Sequence, residues 1–238
     1  MQATSQLMKS FELFQGLNEP ELQTLAQSAQ VERFARRAII LTARKKENRV
    51  CFLFEGRLQG VDFTIDGREV GIYFVNQGDF CGELCVFDDG AQPEHVIALN
   101  SSVVVFVPTI HLKDIANRNP KIMSRLGNKL ASRVRQMTVQ RSLLGLPNIP
   151  QRVCSQLWML TKVPNSNQRA NIEIKNAPTH MEIAIMLNVS RETVTRVFQQ
   201  LQKQKIVARD GPNKLIIKAP DEFEKIAEGK IDITGKTS

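Results

Sequence analysis

The segment VSRETVTRVFQQL, residues 189–201, carries side chains whose types and spacing suit the reading of nucleic-acid bases. Ser190 is a typical helix cap, and Arg191, Glu192 and Arg196 then fall on one face of the predicted helix. In the DNA major groove, arginine donates two hydrogen bonds to guanine O6 and N7, and a carboxylate accepts one from cytosine N4. A carboxylate is unfavourable among phosphates unless it reads a base, so mixed charges indicate sequence readout. The competing interpretation is an exposed helix whose charges pair with one another.

The flanking residues complete a helix-turn-helix pattern. Thr179 and Glu182 have the spacing of a capping box for a first helix, and Asn188 can adopt the left-handed conformation that ends it. The second helix, predicted from Ser190 to Gln204, has an apolar stripe formed by Val194, Val197, Phe198 and Leu201. The segments IVARD and KLIIKAP, joined by a Gly-Pro turn, predict a small hairpin after it.

The charge distribution agrees with a polyanionic partner for this part of the chain. The formal net charge is +8, with a pI near 9.5. Residues 151–218 contain eleven basic and four acidic side chains, so most of the excess lies in the C-terminal third. A basic surface around a helix-turn-helix pattern favours nucleic acid as the ligand.

Residues for other kinds of chemistry are missing from the sequence. The four cysteines form no CxxC pair and have no histidine at metal-ligand spacing, so we expect reduced thiols and no metal site. No glycine-rich phosphate loop, GxSxG or HExxH motif is present, and no catalytic residue is predicted. The N-terminus does not resemble a signal peptide and no apolar run is long enough for a membrane span, so a cytoplasmic location is expected.

The elements that must position these residues divide the chain into regions with different patterns of apolar residues. Residues 7–30 have the apolar spacing of two short helices separated at Gly16. From Val31 to Pro108, short apolar runs alternate with turn signals, which indicates an antiparallel sandwich or small barrel. The Asp66-Gly67 pair between two of these runs predicts a hairpin, because glycine supplies the positive φ of a tight turn.

A long helix is predicted from the Asn119-Pro120 pair to about Leu144, after a short helix over residues 109–118. Its narrow apolar stripe predicts the seam of a parallel dimer, formed by Met123, Leu126, Leu130, Val134, Met137 and Leu144. The alternative is that the stripe packs on the chain's own strands. The sequence GLPNIP then breaks the helix at a domain boundary. An amphipathic helix (residues 151–162), a polar loop (residues 163–171) and a short IEIK strand follow.

The pattern as a whole resembles the cyclic-AMP receptor protein family of bacterial transcription regulators. SRETVTRV is similar to the family's recognition helix, and YFVNQGDFCGELCVFDDG is similar to its ligand-pocket signature. The resemblance implies an α+β fold with an antiparallel, jelly-roll-like β-roll sensor domain of the cyclic-nucleotide-binding type over residues 1–118. A dimerisation helix (119–146) and a winged helix-turn-helix domain (147–219) would follow. The segment 220–238 lies beyond the usual wing, and we predict it to be a tail without an assigned role.

The resemblance also assigns roles in DNA binding. Arg191, Glu192 and Arg196 would contact base edges of a TGTGA-like half-site. Phosphate contacts would come from Thr179, Ser190 and Thr193. A homodimer would place two recognition helices in successive major grooves of double-stranded DNA and read a near-palindrome. RNA polymerase is the further partner expected of such a regulator.

The predicted effector pocket departs from the family pattern. Gly82, Glu83 and Leu84 match the turn that supplies N–H groups and a ribose carboxylate in the family. An Arg-Ser or Arg-Thr pair that should take the phosphate is replaced by Pro93 and Glu94, followed by a histidine. Proline lacks a donor and Glu94 adds negative charge, so both oppose a phosphate anion.

The long helix would complete this pocket. Arg133 falls near a position where the family can place a further basic contact. Met137 and Thr138 stand where a polar pair usually meets adenine, so Met137 weakens base recognition. Losing a charge-assisted bond to a buried anion costs about 2–5 kcal/mol, and we therefore do not expect tight cyclic-AMP binding.

Several interpretations of the sensor remain open at this point. The pocket could hold another nucleotide such as cyclic di-GMP, or it could be empty in a protein that binds DNA without a ligand. Oxidant sensing through Cys81 and Cys85 is a third alternative, although neither has an obvious neighbour that lowers its pKa. A rival function is a sensor that works through protein–protein contacts, but the polar outward face of residues 190–199 favours DNA.

Overall fold

The computed structural model describes residues 3–161, 171–211 and 214–233. The chain divides into two units, Met1–Met137 and Thr138–Ser238. The predicted polar loop lies outside the described residues except for Asn171, as does Pro212 of the predicted hairpin. Among the described residues, no helix combines the length and the apolar character needed to cross a bilayer.

Short helices open the first unit, as predicted. They are α1 (Ser5–Lys9), a 3₁₀ turn (Glu12–Phe14) and α2 (Glu19–Ser28). Asn18 caps α2: its side chain accepts from the Glu21 N–H at 2.9 Å, and the Glu21 carboxylate accepts from the Asn18 N–H at 2.9 Å. This reciprocal pair fixes the start of α2 after the chain turns at Gly16, which has φ +94°.

The described residues of the first unit form eight strands in two antiparallel sheets. In chain order they are β1 (Gln30–Phe34), β2 (Ile39–Leu41), β3 (Arg49–Glu55), β4 (Leu58–Phe63), β5 (Glu69–Val75), β6 (Phe80–Cys81), β7 (His95–Ala98) and β8 (Ser102–Pro108). One sheet has the order β1-β8-β3-β6 and the other has the order β2-β7-β4-β5. Both contribute to one apolar core, which includes Leu58, Val96 and Phe106. The predicted hairpin is confirmed, with φ +76° at Gly67 between β4 and β5.

Two helices follow the strands, α3 (Thr109–Arg118) and α4 (Pro120–Leu144). The first half of α4 packs on its own unit, because Leu126 is fully buried in a core with Phe52 and Leu112, and Met123 packs against the same core. Leu126 therefore does not belong to an intermolecular seam, and that part of the prediction is wrong. Further along α4, Val134 is 64% exposed and Met137 is 56% exposed.

The described residues of the second unit contain the remaining elements. They are the end of α4, then α5 (Ile149–Trp158), β9 (Ile172–Lys175), α6 (His180–Leu187), α7 (Arg191–Lys203), β10 (Val207–Arg209), β11 (Lys214–Ile217) and α8 (Pro220–Ala227). The three strands form an antiparallel sheet in the order β10-β11-β9, so the predicted hairpin gains a third strand. The end of α4 is attached to α6, because Gln140 Nε2 donates to the Met186 carbonyl at 2.5 Å.

The predicted tail is in part an integral element of the second unit. Phe223 and Ile226 of α8 are buried in the core together with residues of α5, α6 and α7. The ring of Phe223 lies 6.1 Å from that of Trp158, and Ser155 Oγ donates to the Ala227 carbonyl at 2.6 Å. The boundary predicted at residue 220 is therefore wrong, because the apolar face of α8 covers α5.

Candidate nucleic-acid interface and sensor pocket

Local hydrogen bonds define both ends of α6. Thr179 Oγ1 accepts from the Glu182 N–H at 3.2 Å, and the Glu182 carboxylate accepts from the Thr179 N–H at 3.1 Å, which confirms the capping box. Asn188 has φ +50° and ends the helix in the left-handed conformation. The Val189 N–H donates to the Ala184 carbonyl at 3.0 Å, which closes the turn. The predicted turn between the two helices is confirmed.

The core of the unit orients α7. Ser190 Oγ accepts from the Thr193 N–H at 3.1 Å and so begins the helix at Arg191. The predicted apolar stripe is confirmed, since all four of its members are buried: Val194, Val197, Phe198 and Leu201. With this stripe fixed in the core, the opposite side of α7 faces away from it.

The outward side of α7 presents charged and polar groups at the predicted positions. Arg191, Glu192, Arg196 and Gln199 are exposed, and Thr195 is half-buried. The pKa of Glu192 is lowered, first by hydrogen bonds from its own N–H and from the Ser190 side chain. Attraction to Arg191 and Arg196 lowers it further. Glu192 is therefore ionised and can only accept hydrogen bonds, which suits a base amino group.

The three hydroxyls predicted to bind phosphate lie at the starts of the two helices. Thr179 and Ser190 are exposed caps, and Thr193 is half-buried in the first turn of α7. The Ser190 and Thr193 hydroxyls are 2.9 Å apart, and Arg196 Nη2 donates to Thr193 Oγ1 at 3.3 Å. Helix starts with free N–H dipoles are favourable places for an anion. Their role in phosphate binding stays a prediction.

His180 is a residue of this surface that sequence reasoning missed. Its Nδ1 lies 3.0 Å from Thr195 Oγ1, and its ring is 4.4 Å from the ring of Phe198. Burial, followed by the charges of Arg209 and Arg191, lowers the pKa of His180. The only available signal was its place directly after a helix cap, which does not reveal a contact fifteen residues along the chain.

The predicted turn of the sensor pocket is present in the first unit. Gly82 adopts the left-handed conformation with φ +77° and leads into a 3₁₀ turn over Glu83–Val86. Glu83 is buried, while Leu84 is 38% exposed. Arg133, also buried, reaches Glu83 from α4 with Nε 3.4 Å from the carboxylate. Arg133 thus lies beside this turn, and its role as an effector-pocket contact stays a prediction.

Arg133 connects this pair to a second carboxylate. Its guanidinium carbon lies 3.3 Å from the centre of the Tyr73 ring. The Tyr73 hydroxyl donates to Glu94, and Gln92 Nε2 donates to the same Glu94 oxygen at 2.8 Å. Burial raises the pKa of Tyr73 well above its usual range, so the hydroxyl keeps the proton that it donates. We call Tyr73, Glu83, Gln92, Glu94 and Arg133 the pocket network.

Gly60 of β4 makes this connection possible. It pairs with Tyr73 on one side and with Val96 on the other. A Cβ atom at Gly60 would lie 2.6 Å from the Tyr73 ring, closer than side chains approach. Because Gly60 has no side chain, the Tyr73 ring can lie close to β4 and meet Glu94 on the far side of it.

Other predicted pocket residues lie outside this network. Met137 and Thr138 are exposed on α4, one turn beyond Arg133, and their role as pocket residues stays a prediction. His95 Nδ1 accepts from the Ala43 N–H at 3.3 Å, and its ring packs on Phe63 at 5.4 Å. An Nδ1 atom that accepts a backbone hydrogen bond is not available to donate to an anion.

The thiols near the turn lack the properties of an oxidant sensor. Cys81 lies opposite Cys51 across β6 and β3, and both are buried. A hydrogen bond with the Cys51 side chain, in which the Cys81 thiol keeps its proton, and then burial raise the pKa of Cys81 well above its usual value. Burial also raises the pKa of Cys85. Oxidation requires thiolate character and access, so these thiols are poorly suited to it.

A β-roll sensor joined through a long helix to a winged helix-turn-helix defines a class of DNA-binding transcription regulators. Two family models match the chain: a cyclic nucleotide-binding domain matches residues 31–119, and a Crp-like helix-turn-helix domain matches residues 151–226. Together these matches cover well over half of the sequence. The chain belongs to the Crp family of transcription regulators.

Individual relatives are similar over most of the chain. The cAMP-activated global transcriptional regulator CRP of Pasteurella multocida is 25% identical over 195 residues, which is 81% of this chain and 92% of that protein. The cAMP-activated regulator Vfr of Pseudomonas aeruginosa is 27% identical over 189 residues, 77% of this chain and 87% of its own. FixK2 from Bradyrhizobium japonicum has the same fold, with TM-score 0.70, 19% identity and coverage of 83% of this chain and 96% of its own. CLP, a c-di-GMP responsive global regulator from Xanthomonas campestris, has TM-score 0.65, 17% identity and coverage of 84% of this chain and 99% of its own.

Proposed function

We propose that this chain is a homodimeric regulator that reads a TGTGA-like near-palindrome in double-stranded DNA. The observation that carries the proposal is the exposed Arg191, Glu192 and Arg196 face on a helix whose other side is locked in the core. The two arginines suit guanine and the ionised Glu192 suits cytosine. The hydroxyls of Thr179, Ser190 and Thr193 are proposed to position the helix on phosphates.

The pocket network supports a regulator that does not use cyclic AMP in the family's usual manner. A phosphodiester anion in the pocket would meet Glu94, whose carboxylate is buried and already accepts two hydrogen bonds. Arg133, the buried cation nearby, is engaged by Glu83 and by the Tyr73 ring. The residues present therefore do not fit a phosphodiester anion well. DNA binding without a ligand is the form we favour, and cyclic di-GMP is the alternative effector to be tested.

The exposed part of α4 supports dimer formation. Val134 and Met137 are large apolar side chains that remain exposed one turn apart. Apolar residues at this spacing on a long helix are typical of a helix–helix seam. We therefore place the partner copy along this part of α4. RNA polymerase is the partner through which a regulator of this kind changes transcription, and the cytoplasm is where these partners meet.

Fluorescence anisotropy of a labelled duplex with TGTGA and TCACA half-sites tests the proposal. The protein is titrated alone, with cyclic AMP and with cyclic di-GMP, at one salt concentration, beside a scrambled duplex. We expect tight, specific binding by the protein alone and no change with cyclic AMP. A change in DNA affinity with cyclic di-GMP would contradict ligand-free binding and identify cyclic di-GMP as the effector. Equal affinity for the scrambled duplex in every condition would reject sequence-specific binding.

Arg191→Lys separates base reading from charge. Lysine keeps the positive charge but loses the two-pronged guanine contact, so specific affinity should fall by about 1–3 kcal/mol, roughly 5- to 150-fold. Affinity for the scrambled duplex should stay nearly the same. Gln200→Ala, at an exposed position of the same helix, is the matched control and should leave both affinities unchanged. An equal loss on both duplexes would assign Arg191 to phosphate rather than to a base.

A further inference from the structure

His180 connects the first turn of α6 to the outward face of α7. The Thr195 hydroxyl donates to the Arg191 carbonyl at 2.9 Å and lies 3.0 Å from His180 Nδ1. A hydroxyl has one proton, so this network assigns Nδ1 of His180 as the donor to Thr195. The other ring nitrogen, Nε2, is then the atom that gains or loses a proton. Protonation at Nε2 leaves the contact with Thr195 intact.

Cations on two neighbouring elements act on this imidazole. Arg191 on α7 and Arg209 on β10 both oppose a charge on His180, in addition to its burial against Phe198. Arg209 is held in place by donating to the Pro178 carbonyl at 2.8 Å. The carboxylate on the same helix, Glu182, is engaged by the Thr179 N–H. The free protein therefore keeps His180 neutral near physiological pH.

We propose that His180 takes up a proton when α7 docks on DNA, so that the DNA affinity of this regulator depends on pH. The inference rests on the proposed function, because it places α7 against DNA. Phosphates bring negative charge to this surface and offset the repulsion from Arg191 and Arg209. The negative charge of the phosphates therefore favours the imidazolium form of His180 in the complex. A proton bound more tightly in the complex than in the free protein strengthens DNA binding by linkage.

The direction of the pH dependence follows from this linkage. The pKa of free His180 lies below the ordinary 6.5, and DNA raises it. Affinity is therefore highest below the free-protein pKa, falls as pH rises towards the pKa of the complex, and levels off above it. A shift of one unit between the two states corresponds to about tenfold in affinity for each His180, and therefore to about a hundredfold for a dimer. The steepest possible slope is two protons per dimer, one from each His180.

The experiment measures the affinity for the specific duplex from about pH 5.5 to about pH 8.5 at constant ionic strength, in the range where histidine titrates. His180→Gln is compared with the unaltered protein, because a glutamine amide can still donate to Thr195 but does not titrate. His95→Gln and His111→Gln change the other two histidines, both in the first unit, and serve as controls. We expect a several-fold loss of affinity between about pH 6 and about pH 8. His180→Gln should remove this loss and the controls should retain it.

A second measurement follows the His180 ring resonances by NMR during pH titration of the free protein and of the complex. A higher pKa in the complex supports the inference even if His180→Gln folds poorly. Equal pKa values in both states, or the same pH dependence in His180→Gln, would overturn it while DNA binding stands. Lack of specific binding at every pH would instead reject the proposed function.

Discussion

Pro93 and Glu94 stand where the family resemblance implies a cation and a hydroxyl, and they change what this part of the sensor can bind. The expected pair would bind an anion, whereas the Glu94 carboxylate accepts hydrogen bonds from Tyr73 and Gln92. The sequence showed that Glu94 opposes a phosphate, but it did not show these partners. Tyr73 and Glu94 lie on either side of β4, so their contact depends on strand order and on Gly60. Such long-range contacts cannot be predicted from local pattern.

Glu94→Gln tests the burial of this carboxylate. Burial raises the pKa of Glu94 above its ordinary 4.5, so the folded state binds its proton more tightly than the unfolded state. The free energy of unfolding should therefore fall as pH rises from about 4.5 through the raised pKa. The amide oxygen of glutamine still accepts from Tyr73 but does not titrate, and the decline should shrink. Urea denaturation at about pH 5 and about pH 8 measures the decline in the free energy of unfolding. The Glu55→Gln variant, at an exposed position, is the control. The same decline in Glu94→Gln as in the unaltered protein would contradict this reason.

At the scale of elements, helix boundaries near the DNA-binding face were predictable almost to the residue. Caps are local: Thr179 with Glu182, and Ser190 with Thr193, act within one turn. The role of α8 was not predictable in this way, because the partners of Phe223 lie on α5 and are distant in sequence. The apolar face of α8 can be assigned to the core only when its partner α5 is known.

Phe223→Ala tests α8 as part of the core. Phe223 is fully buried, so its truncation should lower the free energy of unfolding of the second unit by about 3–5 kcal/mol. Trp158, the only tryptophan of the chain, lies beside Phe223 and reports on this unit by fluorescence during denaturation. Lys225→Ala at an exposed position of α8 should change stability little. A stable Phe223→Ala protein would mean that α8 is an appendage after all.

At the scale of the whole molecule, the order of domains was predicted from the change between two sequence patterns. Short apolar runs separated by turn signals gave way to apolar residues at helical spacing. Neither the division of α4 between Met137 and Thr138 nor the burial of Leu126 followed from the apolar stripe. A stripe shows which side of a helix is apolar but not which partner covers each turn. The exposed Val134 and Met137 are therefore the better test of dimer formation.

Val134→Glu combined with Met137→Glu should shift the protein from dimer to monomer. The two new carboxylates of one copy would lie opposite the same two carboxylates of the other copy, and like charges repel across the seam. Sedimentation velocity measures this shift, and the affinity for the palindromic duplex should fall with it. Gln136→Glu adds a carboxylate at another exposed position of α4 and should remain dimeric. An unchanged sedimentation coefficient in the double variant would remove this part of α4 from the seam.

The pocket network has a consequence for what a cell can adjust. A tethered carboxylate such as Glu94 stays at a fixed effective concentration beside its donors, whereas a diffusing effector fills a pocket in proportion to a metabolite pool. In the ligand-free form that we propose, the fraction of protein bound to DNA would not follow a metabolite pool. The number of occupied operators would then follow the number of protein copies. Synthesis and turnover of the regulator would take the place of ligand supply as its input.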